Sequence, residues 1–229
     1  MKRILLTSSL AFAIISLSSC QTATTMTKEA QAATTPQQAF DKLKAGNERF
    51  VSGKTLNRNL HKQVKDTSKG QFPFATVVSC LDSRTGTELI FDQGIGDVFN
   101  ARVAGNIVNP DILGSLEFAS KAAGSKVIAV IGHTKCGAIK GACDHVELGN
   151  LTGLINKIEP AVAATTSAKG EDRSSKNYSF VDRVAETNVR KTMENIRRNS
   201  PILKKMEQAG EIKIVGGMYD IETGKVNFF

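Results

Sequence analysis

The sequence predicts an α/β fold, a mainly parallel central sheet flanked by helices with a possible antiparallel strand at one edge. Three observations lead there. Short apolar, β-branched runs alternate with helical patterns along the chain. One of them, residues 126–132 (KVIAVIG), is apolar almost throughout, as expected of a strand covered on both faces. And 229 residues, 41% of them hydrophobic, suffice for one domain with a sizeable core and leave little room for a second.

The domain starts well after Met1. Lys2 and Arg3 precede an apolar run from Ile4 to about Leu17, too short for a membrane-spanning helix, which needs about 20 apolar residues. Residues 1–19 therefore read as a signal peptide. Leu17-Ser18-Ser19-Cys20 resembles a bacterial lipobox, which implies that Cys20 is lipidated and becomes the first mature residue. In that resemblance Gln21 after the cysteine implies outer-membrane sorting, facing the periplasm. An ordinary secretory signal with an incidental Cys20 is the alternative. Residues 20–35, polar and small, are expected to be a tether, and residues 36–229 a single domain.

Thr35 and Pro36 suit the start of a helix carrying Phe40, Leu43 and Phe50 up to Gly53. A polar loop follows, its basic run Lys62-Gln63-Val64-Lys65 expected as a solvated face. Residues 73–79 form a strand that runs into Cys80-Leu81-Asp82-Ser83-Arg84. A second strand is expected near 97–102, then a loop at Gly105-Asn106. Asn109 caps, and Pro110 opens, a helix extending towards Gly124. After the apolar strand come His133-Thr134-Lys135-Cys136-Gly137, a helix over 138–143, a helical region over 150–162 and a surface loop over 163–176. Val181, Ala185, Val189, Met193 and Ile196 mark one side of a long helix over about 180–198. Ser200-Pro201 interrupts it before a helix over 202–209. A strand at 211–220, a turn at Glu222-Thr223-Gly224 and a terminal strand at 226–229 complete the order.

The formal charge of +8 falls to +6 once Lys2 and Arg3 are removed. With no Trp, two Tyr and no basic cluster interleaved with aromatics, the charge has no nucleic-acid-binding architecture around it. Gly94-Ile95-Gly96 lacks the strand-before, helix-after setting of a dinucleotide site. Four cysteines are present, and assigning Cys20 to lipid leaves Cys80, Cys136 and Cys143, an odd number that does not suit a disulfide framework.

Ligands of open α/β sheets bind at the carboxyl ends of the strands, where both Cys80 and the His133-x-x-Cys136 pair fall. Two cysteines and one histidine make a catalytic-type Zn²⁺ set with the fourth tetrahedral position open. Such an ion lowers the pKa of bound water from ~15.7 towards ~7 and so makes hydroxide available. Two thiolates donate more charge than imidazoles do, so a neighbour must support that acidity. Asp82 can accept a hydrogen bond from the hydroxide, and Arg84 can clamp Asp82 in a bidentate pair. The duller readings are a Cys80–Cys136 disulfide in an exported chain, a mere Asp82–Arg84 salt bridge, a packed core thiol at Cys143, and surface or neighbouring roles for His61 and His145.

Together Cys80-Leu81-Asp82-Ser83-Arg84, Gly96-Asp97-Val98-Phe99, Arg102-Val103-Ala104-Gly105-Asn106 and Gly132-His133-Thr134-Lys135-Cys136-Gly137 resemble the signature blocks of the beta carbonic anhydrases over residues 37–229. The resemblance implies reversible hydration of CO₂ to bicarbonate and a proton by zinc-bound hydroxide, one Zn²⁺ per subunit, and a homodimer or assembly of dimers embraced by its N-terminal helices. It implies Cys80, His133 and Cys136 as metal ligands and Asp82 with Arg84 as the dyad that orients the nucleophile. Gln71 would bond substrate across the subunit interface, while Phe99 and Ala104 would line the CO₂ pocket. Val77 stands where a bicarbonate-inhibited subgroup carries Trp, which favours a permanently open site. Thr85-Gly86-Thr87 replaces the common Val-x-Pro, and Asn100 replaces a small aliphatic. The alternatives are the same scaffold acting on CS₂ or COS, and a zinc-binding lipoprotein without catalysis.

Overall fold

The computed structural model describes residues 23–229. The signal peptide and Cys20 lie outside the described residues. Five strands form one sheet: β1 (Ala75–Ser79), β2 (Val98–Arg102), β3 (Val127–His133), β4 (Lys213–Tyr219) and β5 (Val226–Phe228), in the spatial order β2-β1-β3-β4-β5. All pairings are parallel except β4 with β5. The helices are α1 (Lys28–Ala33), α2 (Pro36–Val51), α3 (Leu60–Thr67), α4 (Thr87–Ile90), α5 (Pro110–Glu117), α6 (Gly137–Cys143), α7 (Gly149–Ile155), α8 (Glu159–Ala164), α9 (Tyr178–Asn199) and α10 (Pro201–Gln208).

The two-residue period of a strand sorts its side chains between two cores. Val77 of β1 with Val127, Ala129 and Ile131 of β3 face Ala39 and Leu43 of α2, whereas Val78, Ile128 and Val130 face Leu116, Val189 and Ile196 on the other side. Every residue of β1 and β3 is buried, which accounts for the unbroken apolar run at 126–132. Helix starts are fixed locally. Thr35 and Gln38 close a reciprocal capping box ahead of Pro36, and Asn59, Asn109, Asn177 and Ser200 each accept a backbone N–H at the head of their helix.

Three expectations need correction. The tether does not extend to Thr35: from Ala23, whose N–H bonds to Asn57 O at 3.1 Å, the chain lies on the domain. Within it α1 is capped by Thr27, and buried Gln31 donates from Nε2 to Pro73 O at 2.7 Å and Ala123 O at 2.8 Å. Those two carbonyls are distant in sequence, so the composition of residues 20–35 carries no trace of the contact. The basic run at 62–65 belongs to α3, not to a loop. Its lysines do face outward, but Gln63 is buried and its Oε1 accepts the Ile95 N–H at 3.1 Å. Finally, residues 150–162 make two helices, because Pro160 has no N–H for the Asn156 carbonyl and instead opens α8. The helix after Pro110 gives way at Phe118–Ala122 to one π-helical turn, closed by Gly124 at φ 82°.

Candidate metal centre

Adjacent parallel strands bring the predicted ligands together. Ser79 at the end of β1 is in register with Ile131 of β3, so Cys80 emerges beside the end of β3, where His133 stands. Cys136 returns through a turn held by Lys135 at φ 56°, with Lys135 N–H donated to Asp182 Oδ1 at 2.7 Å and Thr134 N–H to Tyr219 O at 3.0 Å. All three side chains are buried: Cys80 is 4% exposed, His133 1% and Cys136 1%. One ligand atom from each lies within 4.8 Å of the other two, and no other such group of three occurs among the described residues.

The geometry suits a tetrahedral ion better than a disulfide. The sulfurs of Cys80 and Cys136 are 3.9 Å apart. A disulfide needs ~2.05 Å, whereas two sulfurs each ~2.3 Å from one tetrahedral ion sit ~3.8 Å apart. His133 Nδ1 is 2.9 Å from Thr134 O, and a carbonyl only accepts, so Nδ1 carries a proton and Nε2 is the nitrogen left to serve as a ligand. That Nε2 is buried without a hydrogen-bond partner. An orphaned buried nitrogen aimed at two sulfurs fits a zinc ligand set of the Cys₂His kind. Without metal the two sulfurs compete for a proton. The Cys136 thiol, with His133 and the Gly105 N–H, pulls Cys80 down to about 4, and the resulting thiolate together with burial pushes Cys136 up.

Asp82 lies beside this group, its Oδ2 3.9 Å from His133 Nε2. Arg84 grips it with both prongs, Nε to Oδ1 at 2.9 Å and Nη2 to Oδ2 at 2.8 Å, and its backbone N–H adds a third bond at 2.9 Å. The guanidinium holds the Asp82 carboxyl well below the usual carboxylate range. The loop carrying the dyad is fastened from behind. Thr85 Oγ1 bridges Cys80 O and Asp82 O at 3.1 and 2.9 Å, and Arg102 of β2 donates to the same two carbonyls at 3.0 and 2.6 Å.

The departures in this loop are physically connected. The Thr87 hydroxyl donates to the Asn100 side-chain oxygen, and Asn100 Nδ2 donates to Glu88 Oε1 at 2.6 Å, so two unusual residues bond to each other across α4 and β2. Ala104 borders a cavity of about 350 Å³ with Gly137, Ala138, Leu151 and Ile155. Gln71 and Phe99 do not line that cavity: Gln71 is exposed, and Phe99, paired with Thr76, packs edge-on to Phe118 with centroids 6.4 Å apart. Cys143 is a buried free thiol in the core around Cys136, and His145 is an exposed side chain 3.1 Å from Glu159.

Sequence reasoning missed Arg102 and Thr85 as clamps and Asn188 as the anchor of the Gly105 turn, to which it donates at 2.7 Å. The available signal was polar Asn188 and Thr192 at core-facing spacing between Ala185 and Ile196.

Comparison with known proteins agrees with this centre. Residues 75–226 match the family described as carbonic anhydrase. Carbonic anhydrase 2 of Mycobacterium tuberculosis is 32% identical over 194 residues, covering 84% of this chain and 92% of its own length. A carbonic anhydrase of Pseudomonas aeruginosa is 30% identical over 169 residues, covering 71% of this chain and 76% of its own. Among solved structures, the beta-carbonic anhydrase CafA of Aspergillus fumigatus superposes with a TM-score of 0.64 at 27% identity, over 74% of this chain and 81% of that one. The chain belongs to the beta-class carbonic anhydrases.

Proposed function

We infer that the chain catalyses the reversible hydration of CO₂ to bicarbonate and a proton, with one Zn²⁺ per subunit held by Cys80, His133 and Cys136. The convergence of two sulfurs and an unpartnered imidazole nitrogen beside an ionised, clamped carboxylate carries this reading. When bound, zinc supplies an acidified water at neutral pH.

The chain's own residues then set direction. Asp82, kept ionised by Arg84, is an acceptor only. Beside the Cys80, His133 and Cys136 side chains that would hold the ion, it would accept a hydrogen bond from an O–H group and so fix that group's orientation towards substrate. Arg84, with its three bonds to Asp82, holds the carboxylate in this orientation and would keep it from serving as a metal ligand itself. Arg102 and Thr85 fix the backbone carrying the ligand and the carboxylate, so little reorganisation accompanies the development of charge on oxygen. Ala104 supplies an apolar wall for CO₂. Phe99, on the edge strand β2, and exposed Gln71 stand apart from the Ala104 cavity within one subunit, so any part they take in binding substrate would come across a boundary with a second copy.

The sheet edge, like the resemblance, supports a second copy. β2 pairs with β1 alone, and exposed apolar Leu89 and Ile95 lie on the segment that leads into it. A solved structure from a pair of tetrameric beta-carbonic anhydrases of Sordaria macrospora shares this fold at 22% identity. A homodimer or an assembly of dimers is the proposed state.

Export and lipidation at Cys20 are proposed from the sequence of residues 1–20. Ala23, the first described residue, bonds to the domain and lies three residues after Cys20, so a lipidated chain would sit close against its membrane, proposed as the outer membrane facing the periplasm.

Stopped-flow hydration of CO₂ by zinc-loaded protein, run beside hydrolysis of CS₂ and COS, tests the activity. Hydration of CO₂ that is lost on chelation supports it. Turnover of CS₂ or COS alone, or a zinc-loaded protein inert to all three, contradicts it.

A further inference from the structure

A mechanism that draws on two thiolates faces a difficulty: thiolates quench the acidity that the metal must confer. The structure carries a device that offsets this at Cys80. The Gly105 N–H points at Cys80 Sγ with the nitrogen 3.4 Å away. A hydrogen bond to a thiolate withdraws charge from sulfur, and partners beyond the ligands tune a metal in this way.

That N–H is aimed by a left-handed turn that favours glycine. Gly105 sits at φ 70°, and a Cβ there would lie 2.5 Å from Ile158 Cδ1. Glycine is also the residue with the greatest backbone freedom, so the turn needs an external hold. Asn188 of α9 provides it. Its side chain is 3% exposed, and Nδ2 donates to the Gly105 carbonyl at 2.7 Å. One turn further along α9, Thr192 Oγ1 donates to the next carbonyl, Asn106 O, at 3.3 Å. A buried amide placed on the core-facing side of an amphipathic helix is costly unless bonded, and this one is bonded to the turn whose N–H meets the Cys80 sulfur.

We propose that Asn188 is a positioning residue for the metal centre: by fixing the Gly105 peptide it keeps the Gly105 N–H on Cys80 Sγ and limits the charge that this sulfur donates to the ion. The inference rests on the assignment of Cys80 as a metal ligand. Asn188 touches neither substrate nor ligand and acts through Gly105.

The test is spectroscopic. Full-length protein is loaded with Co²⁺, and the sulfur-to-cobalt charge-transfer band is recorded for wild type, Asn188→Leu, Asn188→Ala and Thr192→Val. A sulfur that loses a hydrogen bond gives up its electrons more readily. Both Asn188 variants should therefore show the band at longer wavelength, with zinc affinity weakened by about 10-fold. Thr192→Val removes a hydrogen bond from the same helix to the same turn and should leave the band in place. Using leucine and alanine guards against failure of either variant to fold, since one fills the amide's volume and the other empties it. An unshifted band and unchanged zinc affinity in the Asn188 variants overturn the inference alone, and so does an equal shift in Thr192→Val. Wild-type protein that takes up cobalt without any sulfur-to-metal band overturns the ligand assignment and this inference with it.

Discussion

Arg84 and Asp82 meet in a fork, two guanidinium nitrogens on two carboxylate oxygens at 2.9 and 2.8 Å, and one of those oxygens stands 3.9 Å from the unpartnered Nε2 of His133. An orienting carboxylate must be charged, immobile and next to the metal, and this pair meets all three conditions through residues only two apart in sequence.

The first prediction concerns the carboxylate. Asp82→Asn keeps the side-chain shape but replaces an acceptor-only group with one that also donates. It should retain about one zinc per chain while CO₂ hydration falls by about 10²-fold, within the range typical of positioned acid–base groups. Stopped-flow rates normalised to metal content measure this, and equal rates would remove Asp82 from the mechanism.

The second concerns pH. Arg84 depresses the folded-state pKa of Asp82, so its contribution to stability is present above the unfolded value of about 3.9 and is lost as pH falls through the folded value. A bound cation pushes in the same direction. The Asp82 carboxyl ¹³C resonance should therefore stay unchanged from pH 7 down to about 4 in wild type. In Arg84→Gln the onset of titration should move up in pH. Titration of the wild-type group near its ordinary value would contradict the clamp.

Metal removal gives the third. An ion present at about 100 times its dissociation constant stabilises the folded state by about 2.7 kcal/mol. For a chain of this length that corresponds to a Tm difference of about 5–10 °C between holo and apo protein. Scanning calorimetry with and without chelator reads it, and identical curves would argue that zinc is not bound in the core.

The N-terminal segment gives the fourth. Gln31 donates to two carbonyls, the buried Pro73 O and the half-buried Ala123 O. Gln31→Ala should cost about 1–3 kcal/mol in denaturant unfolding, the penalty for buried groups left unmade. If residues 28–33 were free tether, the midpoint would not move.

Lipidation gives the fifth. In a lipoprotein-processing host, wild-type chain should incorporate labelled palmitate and sediment with membranes, whereas Cys20→Ala should do neither. Label persisting in Cys20→Ala would contradict lipidation at that residue.

The sequence made the ligand set readable because Cys80 and His133 each follow a strand whose apolar run is hard to mistake, and parallel neighbours in an α/β sheet end at the same edge. The dyad was readable for the same local reason, lying two and four residues beyond Cys80. What depended on tertiary proximity was not readable. Thr87 and Asn100 looked like two separate departures until the fold made them one bonded pair. Gln31 looked like part of a tether because its partners are 42 and 92 residues away. Asn188 lies 83 residues from Gly105, and its value at that position depends on a backbone turn that only the fold reveals.

X-ray absorption at the zinc edge of the purified full-length protein is the most direct test of the central claim. The account predicts two sulfurs at ~2.3 Å, one imidazole nitrogen at ~2.0 Å and one further light atom around each zinc. A shell without sulfur, or correctly folded protein that retains no zinc, would contradict it.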